Sequence, residues 1–373
     1  MQQKIPIENL YYLLCYAWGV SDQLDKVKVD GEKCHSLENL LSMVLLNACD
    51  RLLRQGLVRA YRFEEQEVEG IRGKLNLAET LKSGKHLNGR TICQVDELTQ
   101  DVVINRVIFS TLKRLMRIEG IDEDIRVRLL KTLVRFPHIA EIRVTEGLLG
   151  RLLGHHSGSH LGHLPGHRHH GGYSLALNVC KLIWESTLPI KDKDGRLEFV
   201  DFTEDGFRMN CIFEQFLMNF CKLNCREEFP EVHREYIDFQ LSPFGMMFKE
   251  AGEALPMMET DVTLFNPNTQ EKLILDAKFY REALVSKFGG REKVRREHLS
   301  QILSYVMNQE DRSKPHTLNA CGALVYPTVD EDFDFSYRYK ETGHRIFVRT
   351  VNLGQPWRKI EERLKEIVKK HSF

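Results

Sequence analysis

The chain has 373 residues, enough for two domains that each bury a core, and its 42% hydrophobic and 28% charged residues are those of an ordinary globular protein. Lys+Arg and Asp+Glu stand at 53 each, which excludes a globally basic, indiscriminate binder of nucleic acid. No apolar run reaches the roughly 18 residues of a membrane span, and nine cysteines without a signal peptide point to reduced thiols in a cytoplasmic protein.

Apolar spacing predicts helices over 5–18 and 37–55, the second built on Leu40, Leu41, Val44, Leu45 and Ala48. From 57 to 95 the pattern alternates between turn residues, which predicts short strands at 58–63, 67–71 and 90–95. A long amphipathic helix follows from about 101 to 118, and another over 122–135, so this half reads as mixed α+β. Asp96, Glu97, Asp101 and Arg106 cluster where the long helix starts; they read as caps and dipole partners, or as contacts for a partner's nucleotide site. Residues 154–172 hold seven histidines among Gly, Ser and Pro without apolar period, the pattern of a flexible loop, with adventitious Zn²⁺ or Ni²⁺ binding as the alternative. A helix over 174–187 leads to the turn at 191–195, the expected boundary between domains of residues 1–190 and 191–373. Cys221 and Cys225 lie one helical turn apart, but no second pair at zinc-ribbon spacing accompanies them.

The second half reads as a helix (207–224), strands near 235–240, 261–265 and 272–280, a helix (291–309), strands at 322–326 and 345–351, and a charged amphipathic helix (356–370). Its most informative stretch is the hairpin Thr260–Phe265, turn Asn266–Thr269 and strand Lys272–Tyr280. With the turn centred between Asn268 and Thr269, Asp261 lies across from Asp276, while Asp276 and Lys278 share one face and Leu275, Ala277 and Phe279 the other. Two carboxylates at a hairpin's end can hold Mg²⁺, which takes hard oxygen ligands and keeps several waters. Lys278 then stands where it can orient or deprotonate an attacking water, or neutralise developing charge. An isolated Asp-x-Lys is ordinarily an exposed salt bridge, but Asp276 ends the apolar run Leu273-Ile274-Leu275, where an unpaired carboxylate is costly.

On the preceding helix, Glu214 sits one turn from Asn210 at the flank of the apolar stripe, as a third carboxylate or as a boundary residue. On the following helix Leu299, Ile302, Leu303 and Val306 form one face, with His298, Gln301 and Tyr305 opposite. Gln301 and Tyr305 either act together on a phosphate or stand in water. Lys287, Arg291, Lys293, Arg295 and Arg296 form a local basic stretch past which a phosphate backbone would run.

The order acidic helix, Asp, Asp-x-Lys, Gln-x-x-x-Tyr resembles the PD-(D/E)xK nuclease superfamily in its Q-x-x-x-Y branch, with Thr260 where the motif usually has Pro. Several short motifs in order are similar to the McrC family, the nuclease subunits of McrBC 5-methylcytosine-specific restriction systems. They are Ile5–Trp18, Arg72–Leu77, Asp96–Asp101 with Asn105–Ile108, and Met209-Asn210 with Phe213-Glu214. The resemblance implies an N-terminal α+β domain that engages an McrB-like AAA+ GTPase hexamer and stimulates its GTP hydrolysis. It implies a C-terminal PD-(D/E)xK restriction-endonuclease-like domain, and Mg²⁺-dependent cleavage of double-stranded DNA by the assembled complex. It also implies Asp261, Asp276 and Lys278 as catalytic residues, the two aspartates being metal ligands. From the wider superfamily come Glu214 as a further ligand and Gln301 and Tyr305 as phosphate-orienting residues. No G-x-x-x-x-G-K-[ST] occurs, so GTP is expected on the partner rather than on this chain. Two other readings compete: a standalone repair or recombination nuclease of the same branch, and a non-catalytic activator of a partner NTPase.

Overall fold

The structure is a computed structural model that describes residues 4–19, 36–154, 170–190, 195–242, 254–280, 284–285, 293–330 and 332–369. The chain divides into two compact units, one from residues 36–200 and one from residues 1–35 with 201–373. This differs from a division into 1–190 and 191–373, and the reason lies in the first helix, Ile7–Ala17. Its Leu13, Tyr16 and Ala17 are buried in the same cluster as Phe213, Phe216 and Phe220. Buried Asn9 fixes the attachment by donating to the carbonyls of Leu353 at 2.7 Å and Gln355 at 2.8 Å. Among the described residues no helix is long and apolar enough to cross a membrane.

In the unit 36–200, the helices Leu37–Gln55, Val103–Leu115, Glu123–Val134, Glu146–Gly154 and His170–Glu185 pack on one another. Ser36 caps the first by accepting the Asn39 N–H. Asn105 donates to the carbonyls of Val58 (2.9 Å) and Gln100 (2.7 Å) and accepts from the Tyr173 hydroxyl at 2.8 Å. Asp101 accepts from the Arg106 guanidinium at 2.7 Å and from the Ala140 N–H at 2.9 Å, so these two members of the charged cluster hold the fold locally. The strands expected at 58–63 and 67–71 are one strand, Ala60–Glu69, paired antiparallel along its length with Arg90–Thr99. The polar run Glu64-Glu65-Gln66 does not interrupt it, because most described side chains of Ala60–Glu69 are exposed and the ladder is held through the backbone. Lys74–Leu75 adds a third strand. Gly73 before it has φ +81°, and a Cβ there would strike the Gln94 carbonyl, which accounts for the glycine of Arg72-Gly73-Lys74-Leu75. The last helix begins at His170 instead of 174, and the rest of the histidine-rich tract lies outside the described residues.

The other unit is mixed α/β, built on a six-stranded sheet. Across it run Asp334–Arg338, Arg345–Asn352, Cys321–Thr328, Glu271–Ala277, Val262–Asn266 and Glu231–His233. Cys321–Thr328 is parallel to both neighbours, and the other pairings are antiparallel. Helices cover both faces, which is why the central strands read as continuous apolar runs. On one face Leu273, Leu275, Ala277, Ala323 and Val325 meet Phe213 and Phe216 of the helix Gly206–Asn224, and Ile360 and Leu364 of Trp357–Lys369. On the other, Ile274, Leu324, Tyr326, Ile346 and Val348 meet Ile302, Tyr305 and Val306 of Arg296–Asn308. The strand expected at 235–240 is replaced by Glu231–His233 and Tyr236–Asp238, which belong to different sheets. The edge strand Asp334–Arg338 gave no signal because all five of its residues are exposed.

Gly322 lets the helix Arg296–Asn308 sit close to the sheet: a Cβ there would stand 2.6 Å from Ile302 Cγ1 and 3.2 Å from Ile346 Cδ1. Gly322→Ala is therefore expected to lower stability by about 1–3 kcal/mol through overpacking. Thermal melts check this, and an unchanged melting temperature would show that the helix is free to shift.

Candidate active site

The hairpin pairs Glu271 with Asn266, Lys272 with Phe265 and Leu275 with Val262, the register expected from its turn. Asn266 shapes that turn, its Oδ1 accepting the N–H groups of Asn268 (2.9 Å) and Thr269 (3.2 Å). Carried one residue further, this register sets Asp261 opposite Asp276, and Asp261 Oδ2 accepts the Ala277 N–H at 2.7 Å. The strand's other face is apolar, with Leu275 and Ala277 buried and Phe279 packed against the same cluster.

Asp276 is fully buried. Its Oδ2 faces Lys278 Nζ across 2.8 Å in an ion pair, and its Oδ1 meets no donor. Lys278, itself buried, donates to Gln301 Oε1 at 2.8 Å. Gln301 Nε2 donates to Tyr305 Oη at 2.7 Å, and that hydroxyl donates to the Glu259 carbonyl at 2.9 Å. The relay ties the helix Arg296–Asn308 to the backbone just before Asp261. Of the two alternatives for Tyr305, standing in water does not hold: it and His298 are both buried, and Tyr305 belongs to the same cluster as Ile302 instead of an opposite face. Each hides its ring and satisfies its polar atom inside. His298 does so through Nδ1, 2.8 Å from Tyr326 Oη.

Glu214 approaches from the helix Gly206–Asn224. Its Oε1 accepts from Asn210 Nδ2 at 2.5 Å, and Asn210 Oδ1 in turn accepts the Phe279 N–H at 2.8 Å, just past Lys278. Arg234, which carried no sequence signal, lies 3.6 Å from Glu214 and 3.4 Å from Glu259. Thr260, where the superfamily motif usually has Pro, is buried and bonds through Oγ1 to the Glu235 N–H and to Thr263 Oγ1, each at 2.9 Å. Of the basic stretch, Lys287 and Arg291 lie outside the described residues, Lys293 and Arg296 are exposed, and Arg295 stacks over the Tyr280 ring at 4.8 Å.

The electrostatics follow from crowding acids where water is scarce. Burial, then repulsion from Asp261, lifts Glu214 to about 7. Burial also raises Asp261 and Asp276, with Lys278 pulling both the other way and Asp276 feeling the charges of Asp261 and Glu214. His298 is pushed down to about 4 by burial and by the charges of Lys278 and Arg295. Among the described residues no three His, Cys, Asp or Glu side chains already stand as a metal-holding group. Mg²⁺ asks for less: one or two carboxylates, with waters completing its shell. The buried, donor-less Oδ1 of Asp276, opposite Asp261, fits that demand.

The family described as "McrBC 5-methylcytosine restriction system component" matches residues 3–327. A protein of Escherichia coli (strain K12), described as "Type IV methyl-directed restriction enzyme EcoKMcrBC", is 30% identical over 367 residues, covering 98% of each chain. Among solved structures, the refined half-complex from a tetradecameric assembly of Thermococcus gammatolerans McrB AAA+ hexamers with bound McrC matches at a TM-score of 0.54. That match has 17% identity over 98% of this chain and 76% of the other, a likeness of fold.

The raised Glu214 has a direct test. In the folded chain it keeps its proton to about pH 7, so as pH rises from 4.5 through 7 the folded state loses stability relative to the unfolded one. Glu214→Gln is accordingly expected to be more stable than the parent at pH 8 in EDTA, on the order of 1–2 kcal/mol or roughly 2–6 °C, and to lose that advantage by pH 5. Paired melts at the two pH values measure it; a gap independent of pH contradicts the assignment.

Proposed function

The chain belongs to the McrBC 5-methylcytosine restriction family, and from that premise we propose that it is the DNA endonuclease subunit of a modification-dependent restriction complex. It acts with an McrB-like AAA+ GTPase hexamer, which binds the GTP, and it cuts double-stranded DNA in the cytoplasm by Mg²⁺-dependent hydrolysis. The helix, hairpin-bearing sheet, helix and returning parallel strands support a PD-(D/E)xK arrangement for the unit that contains residues 201–373. Exposed Ile71, Leu77, Leu81 and Leu87 support placing the contact with the GTPase, and the stimulation of its hydrolysis, on the unit 36–200.

The observation that carries the reading is the convergence of Asp261, Asp276 and Lys278 at the hairpin's end, with Lys278 held on two sides. Asp276 and Asp261 would hold the ion through carboxylate oxygens, and Glu214, once ionised with its proton passed to solvent, would add a third. Bound there, Mg²⁺ would polarise the scissile phosphate and make a water nucleophilic at neutral pH. Lys278 offers its ammonium to the attacking water or to the charge growing on the phosphate. Gln301 and Tyr305 act first on Lys278: their hydrogen bonds hold its Nζ in one place, so that reaching the reacting oxygens needs no reorganisation.

Lys278→Ala is expected to reduce cleavage of methylated DNA by about 100-fold or more while the partner's GTPase stimulation stays at the parental level. Gel-based cleavage and phosphate-release assays on the assembled complex read the two activities separately. Cutting by the Lys278→Ala complex at the parental rate would refute the mechanism. Digestion by the parental chain with Mg²⁺ alone would favour a standalone nuclease. In a calorimetric titration Asp276→Ala should abolish Mg²⁺ binding; weak binding unaltered by that change would favour a non-catalytic activator.

A further inference from the structure

Beside the hairpin stands Arg295, for which no ion pair is seen among the described residues. Arg295 lays its guanidinium over the Tyr280 ring at 4.8 Å, and its Nε is buried without a hydrogen-bond partner. Stacking fixes the plane of the fork but uses none of its donors. The location is as informative as the unpartnered Nε. The Tyr280 ring lies 4.7 Å from that of His298, and His298 Nδ1 lies 2.8 Å from Tyr326 Oη. Asp276 pairs with Leu324 and Ala277 with Val325, so the next step of the ladder sets Tyr326 beside Lys278, whose N–H bonds the Val325 carbonyl at 2.9 Å. An arc Arg295, Tyr280, His298, Tyr326 therefore runs up to the lysine of the candidate site.

A partly buried guanidinium whose Nε has no partner is costly, and its rigid fork is the shape that meets two oxygens of one phosphate. His298, held neutral well below physiological pH, separates Arg295 from Lys278 without adding a third positive charge. We propose that Arg295, braced on Tyr280, binds a phosphate of the DNA backbone next to the one that is cut, with His298 and Tyr326 forming the neutral wall between the two subsites. This rests on the reading of the hairpin as the site of phosphodiester cleavage. Arg295 is a positioning residue: it sets where the strand lies and leaves the reacting atoms to Lys278 and the carboxylates.

The test is steady-state cleavage of a fluorescent methylated duplex by the full chain assembled with its GTPase partner. Arg295→Ala should raise the KM for DNA about 10–100-fold with kcat nearly unchanged, the loss of one charge-assisted phosphate contact. The dependence of log affinity on log salt should become shallower by about one unit. GTPase stimulation and the Mg²⁺ titration midpoint should not move. Arg295→Lys should restore affinity only in part, because an ammonium cannot fork, and Tyr280→Leu should raise KM by less than Arg295→Ala. A KM and salt slope equal to the parent's overturn the subsite, as does a fall confined to kcat. Should Arg295→Ala fail to fold, Arg295→Lys decides it alone, a parental KM being the contrary result. If the parental complex cuts no better than Lys278→Ala, the cleavage reading itself has failed and the subsite falls with it.

Discussion

A carboxylate buried at the end of an apolar strand is the constraint from which the site follows. Asp276 is fully buried, its Oδ1 meets no donor, and it stays ionised only where positive charge is at hand. Lys278 supplies that charge, but a buried ammonium needs acceptors of its own. Gln301 provides one and is in turn fixed by Tyr305, whose hydroxyl ends on the Glu259 carbonyl beside the other half of the hairpin. Each group is present to satisfy the one before it. The relay closes on the hairpin that began it, and it ties the helix Arg296–Asn308 to a sheet that Gly322 lets the same helix approach closely.

Three asparagines, Asn9 and Asn105 buried and Asn210 half-buried, show a second rule. Asn9, Asn105 and Asn210 stand in the stretches that carry the family resemblance, and each spends its side-chain amide on distant backbone. Asn9 joins the first helix to Leu353 and Gln355; Asn105 holds Val58 and Gln100; Asn210 holds the Phe279 N–H. Such ties are worth little individually but are costly to break, because the orphaned group has no water to turn to. Short motifs that look functional in a sequence are here mostly fastenings of the fold. Asn210 is the exception in consequence, since it also grips Glu214 and so places a third acid near the hairpin.

What could be read from residues alone followed the strictness of the local rule. The hairpin register was legible because side chains alternate with period two and the turn centre fixes the rest; Asp261 opposite Asp276 required nothing else. The paired helices and central strands were legible because both faces of the sheet are covered and the runs are apolar. Helical spacing left the surroundings of Tyr305 open and set His298 opposite Ile302 without saying what covers it, because polarity is a poor guide to burial for rings that carry one polar atom. Arg234 gave no sign at all: it reaches Glu214 and Glu259 only through folding, from a segment with no periodicity. The first helix belongs with residues more than 190 positions away, a pairing that no window of sequence contains.

The balance of charge around the hairpin argues for the cation more firmly than any single ligand does. Glu214, Asp261 and Asp276 are all raised mainly by burial, and each adds to the repulsion felt by a neighbour. Lys278 lowers all three but is one charge against three, and Arg234 is shared with Glu259. A cluster so under-neutralised is a poor device for stability, since protonation or a third positive group would relieve it at less cost. It is a good device for binding a small, hard dication, whose arrival would let the acids ionise together and recover the energy their crowding stores. On the proposed reading, the repulsion among these acids is therefore one part of what draws the ion in.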